Sequence, residues 1–172
     1  PQADDIRGYE GDDILDGGGG NDQMRGGLGN DVYITDGGDT LVESANQGID
    51  EVRSSVSMTL GSTLENLVLT GSAALNGSGN GLNNVLTGNA GKNGLNGGKG
   101  ADTMVGNEGN DTYTVDNAAD VVVEAQGGGV DILGFAGGFR RSRQIELGFE
   151  ILQADHLARE LRRQAYRDVA QF

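Results

Sequence analysis

The chain has 172 residues, no cysteine and a formal net charge of −14 at pH 7. With 32 glycines and 5% aromatic residues it cannot build a thick globular core, and without cysteine it has neither a disulfide framework nor thiol chemistry. The negative charge argues against nucleic acid or an anionic membrane surface as a partner. No apolar run is long enough for stable membrane insertion.

Three consecutive nonapeptides occupy the region from Gly8 to Ile34 and read GYEGDDILD, GGGGNDQMR and GGLGNDVYI. Each has glycine at its first and fourth positions, aspartate at its sixth, and Leu15, Met24 or Tyr33 at its eighth. A period this short is typical of a solenoid. The glycines permit positive φ angles and sharp turns, and the eighth-position side chain is expected to point inward from a minimal strand. Two nonapeptides should therefore form one coil.

The pattern resembles the calcium-binding repeat of RTX proteins, GGxGxDxUx, over roughly residues 1–133. This resemblance implies an all-β fold, a parallel β-roll, with several Ca²⁺ ions held between turns that lie two nonapeptides apart. It pairs Asp4 with Asp22 and Asp13 with Asp31. Carbonyl and carboxylate oxygens in a flexible site suit Ca²⁺ better than Zn²⁺ or Cu²⁺. Without calcium, this glycine- and aspartate-rich composition predicts a disordered chain.

The sequence divides into four segments. A first RTX nonapeptide block covers 1–43, intervening β-strand coils cover 44–78, a second block covers 79–133, and a glycine linker with a helical tail covers 134–172. Since Asp4 fits the sixth position of an incomplete repeat, the solenoid is expected to begin upstream of Pro1. Asp39 lies one residue before a sixth position and is expected to complete a site with Asp22.

The intervening segment loses the nonapeptide and shows alternation instead. Its apolar residues are Val52, Val56, Met58 and Leu60 on one face, followed by Leu64, Leu67 and Leu69 in a second run. This alternation predicts two strands with a turn at Gly61-Ser62, continuing the stack as metal-free coils.

The second block reads GNGLNNVLT, GNAGKNGLN, GGKGADTMV and GNEGNDTYT from Gly79. Asn84 and Asn93 replace the sixth-position aspartate, so that their sites with Asp102 and Asp111 are expected to be weak or empty. Asp120 restores the carboxylate and is expected to share a site with Asp102. The two blocks belong to a larger repeat, because the sequences from Val32 and from Thr112 align with an offset of 80 that becomes 81.

The resemblance thus implies a set of metal-site residues that combines sixth-position oxygen donors with the turn glycines. The residues are Asp4, Gly11, Asp13, Gly18, Gly20, Asp22, Gly27, Gly29, Asp31, Asp39, Asn93, Gly98, Gly100, Asp102, Gly109, Asp111 and Asp120.

The tail is amphipathic at helical spacing. The stripe consists of Ala154, Leu157, Ala158, Leu161, Ala165, Val169 and Phe172. Three roles remain open for this C-terminal helix: an uncleaved secretion signal for an export channel, as the family commonly carries, a cap on the last coil, or an unrelated end.

No catalytic constellation is present in the sequence, since His156 is the only histidine and the regular aspartates are explained as calcium ligands. We interpret the chain as a structural calcium-binding module of a secreted bacterial protein, which folds on Ca²⁺ outside the cell. Two alternatives remain. It is the non-catalytic end of a secreted protease, lipase or polysaccharide-modifying enzyme that contacts substrate, or it is an adhesin or toxin segment that binds a cell surface.

Overall fold

The structure, a computed structural model, describes residues 2–124 and 128–136. These residues belong to one compact unit, Pro1–Phe139, and they form strands and turns without a helix. Accordingly, no helix suited to crossing a membrane occurs among them. The predicted tail helix falls on residues outside the described ranges. The strands are β1 (Asp5–Glu10), β2 (Ile14–Asp16), β3 (Gln23–Leu28), β4 (Val32–Thr35), β5 (Thr40–Val42), β6 (Glu51–Ser54), β7 (Met58–Thr59), β8 (Asn66–Leu69), β9 (Asn76–Ser78), β10 (Val85–Thr87), β11 (Gly94–Asn96), β12 (Thr103–Val105), β13 (Thr112–Val115), β14 (Val121–Val123) and β15 (Ile132–Phe135).

Successive strands alternate between two faces of a parallel β-solenoid of about 7 turns. The even-numbered strands form one continuous sheet from β2 to β14. The odd-numbered strands form two sheets, β1-β3-β5 and β7-β9-β11-β13-β15, so that this face is interrupted between β5 and β7. In the nonapeptide blocks Ile14 pairs with Val32 and Val85 with Thr103. Two nonapeptides therefore make one coil, as the sequence predicts.

The core is a narrow internal row of side chains. The eighth-position residues Leu15, Met24 and Tyr33 are at most 2% exposed, and the row continues through the intervening coils with Val52 and Leu67. Each member of the row on the even-numbered sheet is the Cα partner of the next, from Leu15 through Tyr33 to Val52 and onward. Stacking coils on their neighbours thus buries apolar area without a thick core.

The alternating region from Ile49 to Thr70 differs from its prediction, since it contains three strands, β6, β7 and β8, where two were expected. The buried hydroxyl of Ser54 donates to the carbonyl of Val56 at 2.9 Å and accepts from its N–H at 3.3 Å, which turns the chain between β6 and β7. Met58 therefore leaves the buried row of Val52 and is only half-buried. The predicted turn at Gly61 is present, because the N–H of Leu64 bonds its carbonyl at 3.2 Å.

The last described strand also runs further than predicted. The repeat was expected to end at Leu133, with a linker from Gly134, but β15 continues to Phe135. Gly134 and Phe135 pair with Thr114 and Val115 of β13. Parallel pairing uses backbone groups, so that the strand continues where the side-chain pattern has already ended.

Candidate metal centre

The sixth-position residues form hydrogen-bonded columns at the start of the strands. The N–H of Asp4 bonds Oδ1 of Asp22 at 2.8 Å, and the N–H of Asp13 bonds Oδ1 of Asp31 at 2.9 Å. The remaining stacked pairs that the sequence predicts are bonded in the same way: Asp22 with Asp39, Asn84 with Asp102, Asn93 with Asp111, and Asp102 with Asp120. The fold therefore brings together the residues that were paired from the repeat.

The second carboxylate oxygen of these residues has a different environment. Five Oδ2 atoms are buried without a hydrogen-bond donor from the described residues, those of Asp13, Asp22, Asp31, Asp102 and Asp111. Burial raises the pKa of Asp31, Asp102 and Asp111 above the ordinary aspartate value. A buried carboxylate oxygen without a partner is costly, so that these positions favour a bound cation.

The first glycine of each repeat leaves room for this carboxylate. A Cβ at Gly8 would lie 2.6 Å from Oδ2 of Asp13 and 2.6 Å from the carbonyl oxygen of Gly26 in the next coil. A Cβ at Gly17 would lie 3.0 Å from Oδ2 of Asp22. These first-position glycines were not among the predicted site residues. The constant spacing of five residues between first glycine and sixth aspartate is the signal that identifies them.

The second and fourth glycines set the turns. All eight that were predicted have positive φ angles, a region that favours glycine: Gly11, Gly18, Gly20, Gly27, Gly29, Gly98, Gly100 and Gly109. They also let consecutive coils approach closely. A Cβ at Gly20 would lie 2.7 Å from the carbonyl oxygen of Gln2, and one at Gly109 would lie 2.7 Å from that of Gly91.

This donor set fits Ca²⁺. The unpartnered oxygens are carboxylates, a turn carbonyl approaches the same space beside Gly8, and glycine leaves that space free. Such hard oxygen donors in flexible turns suit Ca²⁺. The residues that would hold it are the five aspartates with buried Oδ2 atoms, together with turn carbonyls. When bound, the ion supplies positive charge that compensates the stacked carboxylates.

The side-chain amides of the two asparagines complete their hydrogen bonds within the protein, without a metal ion. The side-chain nitrogen of Asn84 donates to the carbonyl of Glu65 at 3.0 Å, and that of Asn93 donates to the carbonyl of Leu75 at 3.0 Å. Their Oδ1 atoms accept backbone N–H groups at 2.8 Å, from Asn80 and Asn89 respectively. Each amide thus uses both ends within the protein, and the weak or empty state of these two sites remains a prediction. The ligand role of Asn93 remains a prediction.

Three other predicted ligands lie at the ends of columns. Asp39 accepts the hydroxyl of Thr35 on Oδ2 at 2.7 Å, so that both of its oxygens have donors. Asp120 accepts two backbone N–H groups on Oδ2, each at 3.1 Å. Asp4 is exposed. The ligand roles of these three residues also remain predictions.

Three carboxylates that were not predicted extend the columns beyond the nonapeptides. The N–H of Asp31 bonds Oδ1 of Asp50 at 2.9 Å, and the N–H of Asp50 bonds Oε2 of Glu65 at 2.9 Å. In the second block the N–H of Asp111 bonds Oδ1 of Asp131 at 2.8 Å. Burial raises the pKa of Asp50 to about 6. The alignment of the two halves places Asp50 opposite Asp131, and this was the signal available.

Comparison with known proteins identifies the repeats. Residues 2–33 and 78–113 match the RTX calcium-binding nonapeptide repeat family, in four copies. No curated protein and no solved structure matches the chain. The matched residues contain the five aspartates whose second oxygen is buried without a partner.

Proposed function

We propose that this chain, in which residues 2–33 and 78–113 match the RTX calcium-binding nonapeptide repeat family, is the structural module of a secreted bacterial protein, exported unfolded and folded by Ca²⁺ outside the cell. The observation that supports the proposal is the set of five buried aspartate oxygens without a donor. Folding without a cation leaves these charges uncompensated, so that cation binding and folding are coupled.

The free energy of calcium binding makes folding depend on whether the chain is inside or outside the cell. In bacterial cytoplasm the free Ca²⁺ concentration is far below the dissociation constants of extracellular calcium-binding modules, so that calcium binding there adds almost nothing to the stability of the folded state. The chain, with a net charge of −14 and 32 glycines, then stays open and threadable. At ten times the dissociation constant, each site adds about 1.4 kcal/mol, and several sites together supply the few kcal/mol that a small module needs.

Calcium-coupled folding is tested on the full chain by circular dichroism. We expect a coil spectrum in chelator and a β spectrum when Ca²⁺ reaches about 10⁻⁴ to 10⁻³ M, with Mg²⁺ substituting poorly. A full β spectrum in chelator would contradict the coupling.

Export is tested by comparing the full chain with a chain truncated before Phe139, each co-expressed with a one-step export channel. If residues 139–172 are the export signal, the truncation abolishes secretion and leaves the calcium midpoint unchanged. If they are a cap, the truncated chain is secreted but needs more calcium to fold. A full chain that is not exported and is already folded inside the cell would overturn the proposal.

The other functions drawn from the sequence have no support among the described residues. The matched family is a repeat of a calcium-binding structural module. Contact with a polysaccharide or a cell surface remains a prediction, to be tested by binding assays in millimolar calcium.

A further inference from the structure

The central coils, which are strands β6 to β11 with their turns (residues 51–96), contain two nonapeptides with an unusual turn. Asn80 and Asn89 stand at the second position of these nonapeptides, where Gly18, Gly27 and Gly98 have positive φ angles in other repeats. Neither asparagine has a positive φ angle. The same two nonapeptides carry asparagine in place of aspartate at the sixth position, so that turn conformation and lost charge occur together.

The side chain of Asn89 joins two coils through hydrogen bonds. Its Nδ2 donates to the carbonyls of Thr70 and Ala73 in the preceding coil, each at 3.0 Å. Its Oδ1 accepts the N–H of Gly91 at 2.8 Å, and its own N–H donates to Oδ1 of Asn93 at 2.8 Å. Asn89 is only 6% exposed, so that these bonds form away from water.

Asn80 makes the same set of bonds one nonapeptide earlier. Its Nδ2 donates to the carbonyls of Gly61 and Leu64, at 2.5 and 2.7 Å. Its Oδ1 accepts the N–H of Leu82 at 2.8 Å, and its N–H donates to Oδ1 of Asn84 at 2.8 Å. Turn carbonyls are groups that a cation also binds, and here a neutral amide donor satisfies them without adding charge.

The hydrogen bonding of the central coils is complete. The structure describes every residue from 44 to 101, and no buried side-chain oxygen or nitrogen in this range lacks a partner. The five aspartate oxygens without a donor all lie in the flanking nonapeptide blocks. The penalty for folding without a cation therefore falls on the blocks and not on the central coils.

The central coils also combine zero net charge with a large share of the core. Two glutamates balance one arginine and one lysine, so that the net charge of −14 arises from the rest of the chain. Eight of the fourteen buried apolar side chains among the described residues belong to these coils: Val52, Leu60, Leu64, Leu67, Leu69, Leu75, Leu86 and Leu95. Apolar burial thus favours folding here, and no excess charge opposes it.

The sheet topology sets the central coils apart from the first block. The odd-numbered face is interrupted between β5 and β7, where the central coils begin, while the even-numbered sheet continues. The strands pair as three successive coils, β6 with β7, β8 with β9, and β10 with β11. Three repeats are the number that a solenoid needs to bury a continuous row of side chains.

We propose that the central coils fold without calcium and are the template on which calcium orders the two flanking blocks. This inference rests on the proposed calcium-coupled folding and confines the coupling to the blocks. Calcium then extends an existing stack in both directions, since folding of a solenoid propagates from coil to neighbouring coil. A core of three coils is only marginally stable, so that the chain still opens for export.

The first experiment is hydrogen exchange followed by mass spectrometry on the full wild-type chain, in chelator and in saturating calcium. In chelator we expect peptides from residues 51–96 to exchange about tenfold more slowly than peptides from 2–33 and 97–113. The six central strands have two to four residues each, so that the circular dichroism spectrum in chelator is still mainly that of coil.

Two results of this experiment have different consequences. Central peptides that exchange in chelator as fast as those of the blocks would overturn the template, while calcium-coupled folding would stand. Blocks that are as protected in chelator as in calcium would overturn calcium-coupled folding itself, and the template role with it.

The second experiment tests the amide with a matched pair of variants. In Asn89→Asp a carboxylate faces the carbonyls of Thr70 and Ala73, so that we expect the central peptides to lose their tenfold protection in chelator. Asn83→Asp is the control, because the exposed Asn83 side chain accepts the N–H of Ala101 at 2.8 Å, which a carboxylate also does. Equal protection in the two variants would overturn the role of the Asn89 amide, whether both keep it or both lose it through the added charge.

Discussion

The hydroxyl of Tyr33 donates a hydrogen bond to the carboxylate of Glu43, ten residues further along the chain. Tyr33 itself is fully buried, and burial, followed by this hydrogen bond, raises the pKa of its hydroxyl far above the ordinary tyrosine value. The same relationship joins Tyr113 to Glu124. Tyr33 and Tyr113 therefore place an aromatic ring in the core and a hydroxyl group against a glutamate at the end of the next strand.

Replacing Tyr33 with phenylalanine keeps the ring in the core and removes this hydroxyl group. The N–H of Gly26 loses its acceptor and Glu43 loses a donor, so that we expect a loss of about 1 to 3 kcal/mol in calcium-loaded stability. Urea denaturation in saturating calcium measures it. Tyr9→Phe is the control, because Tyr9 is 70% exposed and its hydroxyl should matter little. Equal midpoints for the two variants would contradict a structural role for the Tyr33 hydroxyl.

Substitution of the first-position glycines should impair calcium binding through sterics alone. In Gly8→Ala the new Cβ would lie 2.6 Å from both Oδ2 of Asp13 and the carbonyl oxygen of Gly26, so that carboxylate and turn must separate. We expect the calcium midpoint to rise several-fold in a titration followed by circular dichroism. Gly81→Ala is the matched control, since a Cβ there meets nothing within 4 Å. A midpoint that rises equally in both variants would assign the effect to lost chain flexibility instead.

The regular part of this fold is predictable from sequence because one spacing governs it. An 18-residue separation between Asp13 and Asp31 places both at the start of neighbouring strands and both eighth-position residues in one row. The extension of the columns is not predictable in this way. Asp50 follows Asp31 by 19 residues, Glu65 follows Asp50 by 15, and Asp131 follows Asp111 by 20. Loops of different length absorb these changes while the strands keep their register, and a pattern of fixed period does not detect them.

The contacts between two glutamates and the buried tyrosines were not predicted from the sequence for a related reason. Glu43 and Glu124 lie in stretches without the glycine pattern, and only the tertiary contact with a tyrosine of the preceding coil marks them. Similarly, the amide orientation of Asn84 and Asn93 follows from carbonyls of an earlier coil. The sequence shows that a charge is missing there, but it does not show which group replaces the ion.

The buried carboxylates predict opposite pH responses with and without calcium. Burial raises the pKa of Asp31, Asp102 and Asp111, and raises that of Asp50 to about 6. The metal-free folded state therefore binds protons more tightly than the unfolded chain, so that its stability is highest at low pH and falls as pH rises through the unfolded and then the folded pKa values. Calcium binds the ionised form of these carboxylates, so that protonating them at lower pH weakens calcium binding.

We accordingly expect calcium-free protein to gain β signal as the pH is lowered from about 6, the folded pKa of Asp50, to about 4, the ordinary aspartate range, while the calcium midpoint rises over the same range. Circular dichroism measures both. Added salt is the control, since it screens general repulsion without protonating carboxylates, and its effect on the calcium-free protein should be smaller. A calcium-free spectrum that does not change with pH would contradict the buried, proton-binding state of these aspartates.

The asparagines of the second block should lower its dependence on calcium, and exchanging one for aspartate should restore it. In Asn93→Asp the donor to the carbonyl of Leu75 is lost, and a carboxylate oxygen faces that carbonyl instead. We expect the variant to need more calcium to reach full β content and to bind one additional ion in native mass spectrometry. Asn110→Asp is the matched control, because the Asn110 side chain is exposed and acts as an acceptor for the N–H of Val130, which a carboxylate also does.

Two alanine substitutions distinguish columns that carry aspartate at the sixth position from columns that carry asparagine there. Asp13→Ala removes a buried oxygen without a protein donor, so that it should raise the calcium midpoint and change little in chelator. Asn93→Ala removes amide bonds to Leu75 and Asn89, so that it should lower stability by a similar amount with and without calcium. Because the first block carries carboxylates where the second begins with amides, calcium should order the first block more strongly. Equal shifts of the calcium midpoint in both variants would mean that charge at the sixth position does not set the strength of these sites.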